Sequence, residues 1–182
     1  MRRAVFLDRD GTIAEDMGYV NHIERFRMLP GSGKAIRKLN EAGFAVIVVT
    51  NQSGVARGYF PESLVGEVHQ KMLRELGEVG AVVDAIYYCP HGAGDGCACR
   101  KPNLGMVQQA AREHGLDLTQ AFVVGDRYAD MELAFRTGAR AVFVKSGYGL
   151  GEWTWHAKEW ALQPHVVAKD LPEAVDWILR QA

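Results

Sequence analysis

The chain reads as an α/β protein built on a doubly wound parallel sheet, and three observations carry that expectation. Short apolar, β-branched runs alternate with amphipathic helical segments along the 182 residues. The runs lack polar alternation, as strands covered on both faces do. Polar turns rich in Asp, Gly, Thr and Asn follow the runs, on the edge where open α/β sheets bind their ligands.

Taken in order, the strand candidates are Ala4–Leu7, Phe44–Thr50, Ala85–Tyr88, Ala121–Val124, Ala141–Val144 and, more weakly, His165–Ala168. Between the first two, Ala35, Ile36, Leu39 and Ala42 share one helical face that ends at Gly43, and after Pro61 the residues Val65, Val68, Met72 and Leu76 repeat the pattern to about Gly77. Later helices are expected from about Leu104, from about Ala129, and from Asp170, where "DLPE" offers an N-cap, an early proline and Glu173 for a capping box. The resulting order, βαβαβαβαβ(α)βα, is that of a sheet with helices on both faces. No linker, repeat or low-complexity tract divides it, so residues 1–182 are expected to form a single domain.

Composition narrows the function. Hydrophobic residues make up 48% of the chain, enough for a sizeable core, and 21 basic against 22 acidic residues leave a formal charge of -1. No basic block suits a nucleic-acid backbone, no stretch reaches membrane-spanning length, and the apolar run after "MRR" is too short for a signal peptide. The expectation is a cytoplasmic, monomeric protein acting on a small molecule, with neither nucleic acid nor membrane as partner.

The strand ends carry the chemistry. The first ends in Asp8-Arg9-Asp10-Gly11-Thr12, the second in Thr50-Asn51-Gln52-Ser53-Gly54 and the fourth in Gly125-Asp126-Arg127-Tyr128-Ala129-Asp130, while Arg100-Lys101-Pro102 precedes a helix. Any one of these alone is an ordinary capped turn; four on one edge converge. A carboxylate that attacks a phosphate dianion meets like-charge repulsion, so it needs Mg²⁺ on oxygen ligands and a cation on the phosphoryl oxygens. Asp8 and Asp126 can hold the metal, Lys101 can supply the cation, and Asp10 can move the proton. Arg9, between the two acids, is expected to turn to the other side of the strand end without a catalytic role.

This pattern resembles the haloacid dehalogenase (HAD) superfamily of aspartate-nucleophile phosphatases, whose four motifs span nearly the whole chain. The resemblance implies a three-layer Rossmann-like fold and Asp8 as the nucleophile of an aspartyl-phosphate. It also implies Asp10 as acid/base and as a Mg²⁺ ligand through its carbonyl, Thr50 and Lys101 as phosphoryl clamps, and Asp126 as a further Mg²⁺ ligand. Asp130 is left between orienting a metal-bound water and a structural role.

A second constellation, "CPHGAGDGCAC", gathers all three cysteines, Cys89, Cys97 and Cys99, with His91. A disulfide would leave one cysteine over, and buried free cysteines would not cluster in a glycine-rich loop. Zinc fits better. Four such ligands leave no open position, so the zinc would be structural and would pin the loop that delivers Arg100 and Lys101. His22, His69, His114 and His165 read as surface or hydrogen-bonded histidines.

No gap between motifs accommodates a cap domain, so short loops must select the substrate. Among capless superfamily members with this zinc pattern, the segments Gly18-Tyr19-Val20, Asn51 to Gly58 and Cys99 to Met106 resemble the heptose-bisphosphate phosphatases. Histidinol-phosphate phosphatases, the alternative, typically have an acid at the position of Ser53. A non-catalytic zinc-stabilised binding module is the alternative of another class, disfavoured because the catalytic set is complete. One departure is the short zinc loop, with five residues between His91 and Cys97. The resemblance assigns substrate contacts to Asp16, Met17, Gly18, Tyr19, Asn51, Gln52, Ser53, Arg100 and Arg127. Arg57 reads as a solvated charge, and Trp153, Trp155 and Trp160 as packing residues of a C-terminal helix.

Overall fold

The computed structural model describes residues 2–181. Its elements are β1 (Ala4–Leu7), α1 (Ser32–Glu41), β2 (Ala45–Asn51), α2 (Glu62–Glu78), β3 (Ala85–Cys89), α3 (Gly105–His114), β4 (Phe122–Gly125), α4 (Tyr128–Thr137), β5 (Arg140–Val144), α5 (Gly149–His156), β6 (Val166–Ala168) and α6 (Leu171–Arg180). The six strands form one parallel sheet in the order β3-β2-β1-β4-β5-β6. The doubly wound α/β expectation is met.

Side chains alternate across the pleat, and both sides are covered. Val5, Leu7, Val46, Val48, Val124 and Val142 pack with residues of α1, α2 and α6, whereas Ala4, Phe6, Ala45, Ile47, Val49 and Val123 pack with residues of α3 and α4. Phe6, Leu7 and Ile47 are wholly buried, and a buried side chain of this kind contributes about 1.5–3 kcal/mol. That burial makes the central strand ends a firm platform.

The helices begin and end close to where the pattern places them. At α6 the Asp170 carboxylate accepts from Glu173 N at 3.1 Å, and the Glu173 carboxylate reaches back to Lys169 N, which satisfies amides that the first helical turn leaves free. Two strands outrun their expected ends: β2 continues to Asn51 and β3 to Cys89, and these two residues pair in register. The tryptophan segment forms α5 and a 3-10 turn at Ala157–Glu159. Trp153 and Trp160 pack on Phe143, with ring centroids 5.8 and 5.1 Å away, while Trp155 is 76% exposed. No cap domain is inserted among the described residues: β1 and α1 are joined by a loop with one 3-10 turn, Ile23–Arg25. No helix among them is long and apolar enough to cross a membrane.

Candidate active site

The strand order reverses direction between β1 and β4, and a crevice opens there beyond their carboxyl ends. Asp8 and Asp126 each lie one residue past their strand. Asp8 N donates to Val124 O at 3.0 Å, so the ladder runs on into the site and fixes the first acid beside the second strand end.

Asp126 is held in a cradle that only glycines leave open. A Cβ on Gly11 would lie 2.1 Å from Asp126 Oδ2, and one on Gly147 would lie 2.4 Å from the same atom. Both glycines have positive φ, +88° and +58°, which L side chains adopt at a cost. Tyr148 N donates to Asp126 Oδ2 at 2.8 Å, and Ser146 Oγ donates to Gly11 O at 2.7 Å, so the turn after β5 closes the floor. Asp126 Oδ1 is buried without a partner among the described residues.

Lys101 crosses this floor from the other side. Its Nζ lies 3.0 Å from Asp8 Oδ1 and 2.7 Å from Asp130 Oδ1, and all three side chains are nearly buried. Its backbone is gripped by Asn51, whose Oδ1 accepts from Lys101 N at 3.0 Å and whose Nδ2 donates to Lys101 O at 3.3 Å. Asp130, one turn into α4, also accepts from Arg127 N at 3.2 Å. It therefore ties Lys101 to the start of α4, which gives it a positioning part that the spacing left open.

The acids outnumber the lysine, and their protonation responds. Burial pushes the Asp8 carboxyl up to about 7; Lys101 opposes the rise, while the charges of Asp130 and Asp10 add to it. Burial, followed by the charges of Asp8 and Asp130, pushes Asp126 up to about 9. Carboxylate oxygens of Asp8, Asp126 and Asp130 lie within 4.8 Å of one another. Oxygen donors gathered this closely, one of them, Asp126 Oδ1, buried without a partner among the described residues, fit a hard divalent cation such as Mg²⁺.

Asp10 faces the opposite way. Its oxygens accept from Arg9 Nε at 2.9 Å and Arg9 Nη2 at 2.8 Å, and Oδ2 also accepts from Gln52 Nε2 at 2.9 Å. Gln52 Nε2 donates to Thr50 Oγ1 as well, at 2.8 Å. The Asp10 side chain thus lies outside the cluster of Asp8, Asp126 and Asp130. Arg9 departs from expectation: it is 1% exposed and its guanidinium returns to Asp10, because a buried cation needs a carboxylate within reach.

Around these groups lies a cleft of about 450 Å³, walled by Asp16, Gly18, Tyr19, Asn51, Gln52, Ser53, Arg57, Arg100, Arg127, Tyr148 and Glu152. Asp16 accepts from Gly18 N at 2.7 Å, and burial raises its pKa. Arg127 spans the rim, 3.6 Å from both Asp16 Oδ2 and Glu152 Oε1, with its guanidinium 3.6 Å from the Tyr148 ring centroid. Tyr19 meets Tyr59 edge-on at 4.8 Å and passes close over Gly54, where a Cβ would come within 3.0 Å of its ring. Met17 is not part of the wall; its carbonyl accepts from Arg25. Arg57 is exposed, as expected, yet stands on the rim. His69 is 7% exposed and its Nε2 has no hydrogen-bond partner, so it is not the surface or hydrogen-bonded histidine expected.

The Cys/His residues converge beside this cleft. Ligand atoms of Cys89, His91, Cys97 and Cys99 all lie within 4.8 Å of one another, with Cys89 Sγ 3.6 Å from Cys97 Sγ and His91 Nδ1 3.2 Å from Cys99 Sγ. Thiolates at about 2.3 Å and a ring nitrogen at about 2.0–2.1 Å from one centre would span such separations, so the donor set fits tetrahedral zinc. The loop is tied to its surroundings: Asn103 Nδ2 donates to Cys97 O at 2.8 Å, Gly105 N to Ala98 O at 2.9 Å and Arg100 Nη1 to His91 O at 3.3 Å.

Known proteins match this chain along nearly its whole length. A HAD-hydrolase-like family model matches residues 98–174. The D-glycero-D-manno-heptose-1,7-bisphosphate 7-phosphatase of Thermosynechococcus vestitus is 38% identical over 97% of this chain and 95% of its own. The chain belongs to the D-glycero-D-manno-heptose-1,7-bisphosphate 7-phosphatase family. Another family member, the β-heptose enzyme of Haemophilus ducreyi, is 44% identical over 80% of this chain and 85% of its own. The crystal structure of the D,D-heptose 1,7-bisphosphate phosphatase from B. bronchiseptica, complexed with magnesium and phosphate, superposes with a TM-score of 0.90 at 38% identity and full coverage of both chains. That of the Burkholderia thailandensis enzyme gives 0.72 at 29% identity, with 98% of this chain and 99% of that one covered.

Sequence reasoning missed Ser146, Gly147, Tyr148 and Glu152. They follow a strand that ends without an acid, and the only available signal was the glycine-rich "SGYGLG" at a strand end on the ligand-binding edge.

Proposed function

We propose that this protein is a Mg²⁺-dependent phosphatase that removes the 7-phosphate of D-glycero-D-manno-heptose 1,7-bisphosphate through a covalent Asp8 intermediate, as a step towards nucleotide-activated heptose. The observation that carries the reading is the pairing of Asp8 with Lys101 at 3.0 Å on the floor of a cleft whose other wall presents Asp10 and Thr50. An Asp8 oxygen attacks phosphorus, the bond from phosphorus to the sugar oxygen breaks, and Asp10 gives its proton to the departing alkoxide. Asp10 then takes a proton from water, which attacks the aspartyl-phosphate and releases inorganic phosphate with Asp8 restored.

Lys101 and the Thr50 hydroxyl hold the phosphoryl oxygens, and charge developing there meets a preorganised cation. Mg²⁺, held by Asp8, Asp126 and the Asp10 carbonyl, would supply neutralisation of the phosphoryl charge. Asp16, Gly18, Tyr19, Asn51, Gln52 and Ser53 shape the sugar end, and Arg100 and Arg127 offer cations to the second phosphate or to sugar oxygens. Cys89, His91, Cys97 and Cys99 would hold a structural zinc, which would fix the loop before Arg100 and Lys101. The reading takes the protein to act as a monomer in the cytoplasm.

The test is phosphate release from heptose 1,7-bisphosphate, both anomers, beside histidinol phosphate and fructose 1,6-bisphosphate. Preference for a heptose anomer, abolished in Asp8→Asn, is the expected result. Preference for histidinol phosphate, or full turnover by Asp8→Asn, overturns the reading.

A further inference from the structure

We propose that Arg9 is a positioning residue for the reaction, a buried guanidinium whose fork sets the plane of the Asp10 carboxylate and leaves Asp10 Oδ1 as the oxygen that exchanges the proton. The inference rests on the acid/base reading of Asp10.

The argument starts from where the guanidinium's hydrogen bonds go. Arg9 is 1% exposed, and the polar contacts of its side chain among the described residues reach one group: Nε to Asp10 Oδ1 and Nη2 to Asp10 Oδ2. Nη1 is buried with no partner. The guanidinium is committed to a single carboxylate, in the bidentate geometry that fixes both distance and plane. His69, buried and held neutral by its burial and by the Arg9 charge, adds no second cation to compete with Arg9 for Asp10.

The two Asp10 oxygens are not equivalent. Oδ2 accepts from Arg9 Nη2 and from Gln52 Nε2, whereas Oδ1 accepts from Arg9 Nε alone. A carboxylate oxygen has two lone pairs, so Oδ1 keeps one for a proton. Gln52 also holds the Thr50 hydroxyl, so the acid/base and a phosphoryl-contacting hydroxyl share one rigid frame. The Asp10 side chain is 22% exposed, open on the side of the cleft. In the first half-reaction the proton leaves Oδ1 for the sugar alkoxide, and in the second Oδ1 receives one from water.

The experiment separates proton delivery from folding by the leaving group. A p-nitrophenolate leaves without a proton; a sugar alkoxide does not. The ratio kcat/KM reports the first phosphoryl transfer, so it is the quantity compared. Arg9→Met is expected to lower kcat/KM for heptose 1,7-bisphosphate by roughly 10–100-fold through kcat, part of the 10²–10⁴ that a positioned acid supplies. For p-nitrophenyl phosphate the loss is expected to be within about threefold. In an Asp10→Asn background the same change should lower sugar turnover by no more than about threefold, because effects that act through one group do not multiply.

Arg9→Lys, which keeps the charge and loses the fork, is expected to fall between Arg9→Met and wild type. Its folding, checked by circular dichroism, lets it carry the same comparison if Arg9→Met does not accumulate. Equal losses on both substrates, losses that multiply in Asp10→Asn, or sugar turnover within twofold of wild type overturn the proposal. The acid/base reading fails separately: Asp10→Asn alone would then show no greater loss on the sugar than on the aryl substrate.

Discussion

Replacing Lys101 with methionine removes the ammonium that sits between Asp8 and Asp130 while keeping an unbranched side chain of similar volume. The distances are 3.0 and 2.7 Å. At an effective dielectric near 20, each contact is worth about 5–6 kcal/mol of Coulomb energy, most of it offset by desolvation. Breaking a buried pair from one side leaves a net loss of about 3–5 kcal/mol. For a chain of this size that is a fall in Tm of about 6–20 °C. The loss also depends on pH. Asp8 already sits up at about 7 in the folded protein, and without Lys101 it rises further, so the folded state holds that proton over a wider range than the unfolded chain. Stability then declines more steeply with pH, and the deficit against wild type is larger at pH 8 than at pH 5. Thermal unfolding followed by circular dichroism in magnesium-free buffer at the two pH values measures this, alongside kcat/KM for the bisphosphate. A fall of under about 3 °C, a deficit larger at pH 5, or kcat/KM within twofold of wild type would refute the reasoning.

Three further outcomes are expected. Without magnesium, wild-type stability should fall between pH 7 and 9, because folded Asp126, raised to about 9, keeps a proton that the unfolded chain has released, while Asp8, raised to about 7, gives its proton up as that window opens; saturating Mg²⁺ should remove the slope, and a stability that rises over that window without metal contradicts the burial argument. Gly147→Ala puts a methyl 2.4 Å from Asp126 Oδ2; it should cost about 1–3 kcal/mol of stability and raise the Mg²⁺ concentration for half-maximal turnover at least tenfold, and an unchanged Mg²⁺ titration would show that Asp126 does not hold the metal. Cys97→Ser should lower the zinc content from about one per chain and both raise KM and lower kcat as Arg100 and Lys101 lose their fixed approach, with the far-ultraviolet spectrum preserved; a wild-type protein that purifies without zinc and with full activity would end that assignment.

The sequence by itself determined the parallel sheet, because each strand is a short, continuous apolar run and each helix a stripe of period 3.6, patterns that depend on local spacing alone. It also determined that Asp8, Asp10, Thr50, Lys101 and Asp126 share one edge, since they follow strands or lead into a helix, and that Cys89, His91, Cys97 and Cys99 fall within one loop. What only the tertiary structure decided is where side chains go once they leave their own segment. Arg9 was read as turning away from the site, yet it folds back onto Asp10 because the interior offers a buried cation few other places to end. Asp130 was undecided until Lys101, 29 residues earlier, was seen to reach it. Gly147 and Tyr148 belong to Asp126 only because β5 pairs beside β4, which brings the turn after one strand over the acid of the next. Asn51 became a brace for Lys101 because β2 and β3 run one residue further than their apolar patterns, setting Asn51 beside Cys89. Periodicity records which side of an element is buried; the partner it is buried against is set by strand order and register, through contacts between residues far apart in the chain.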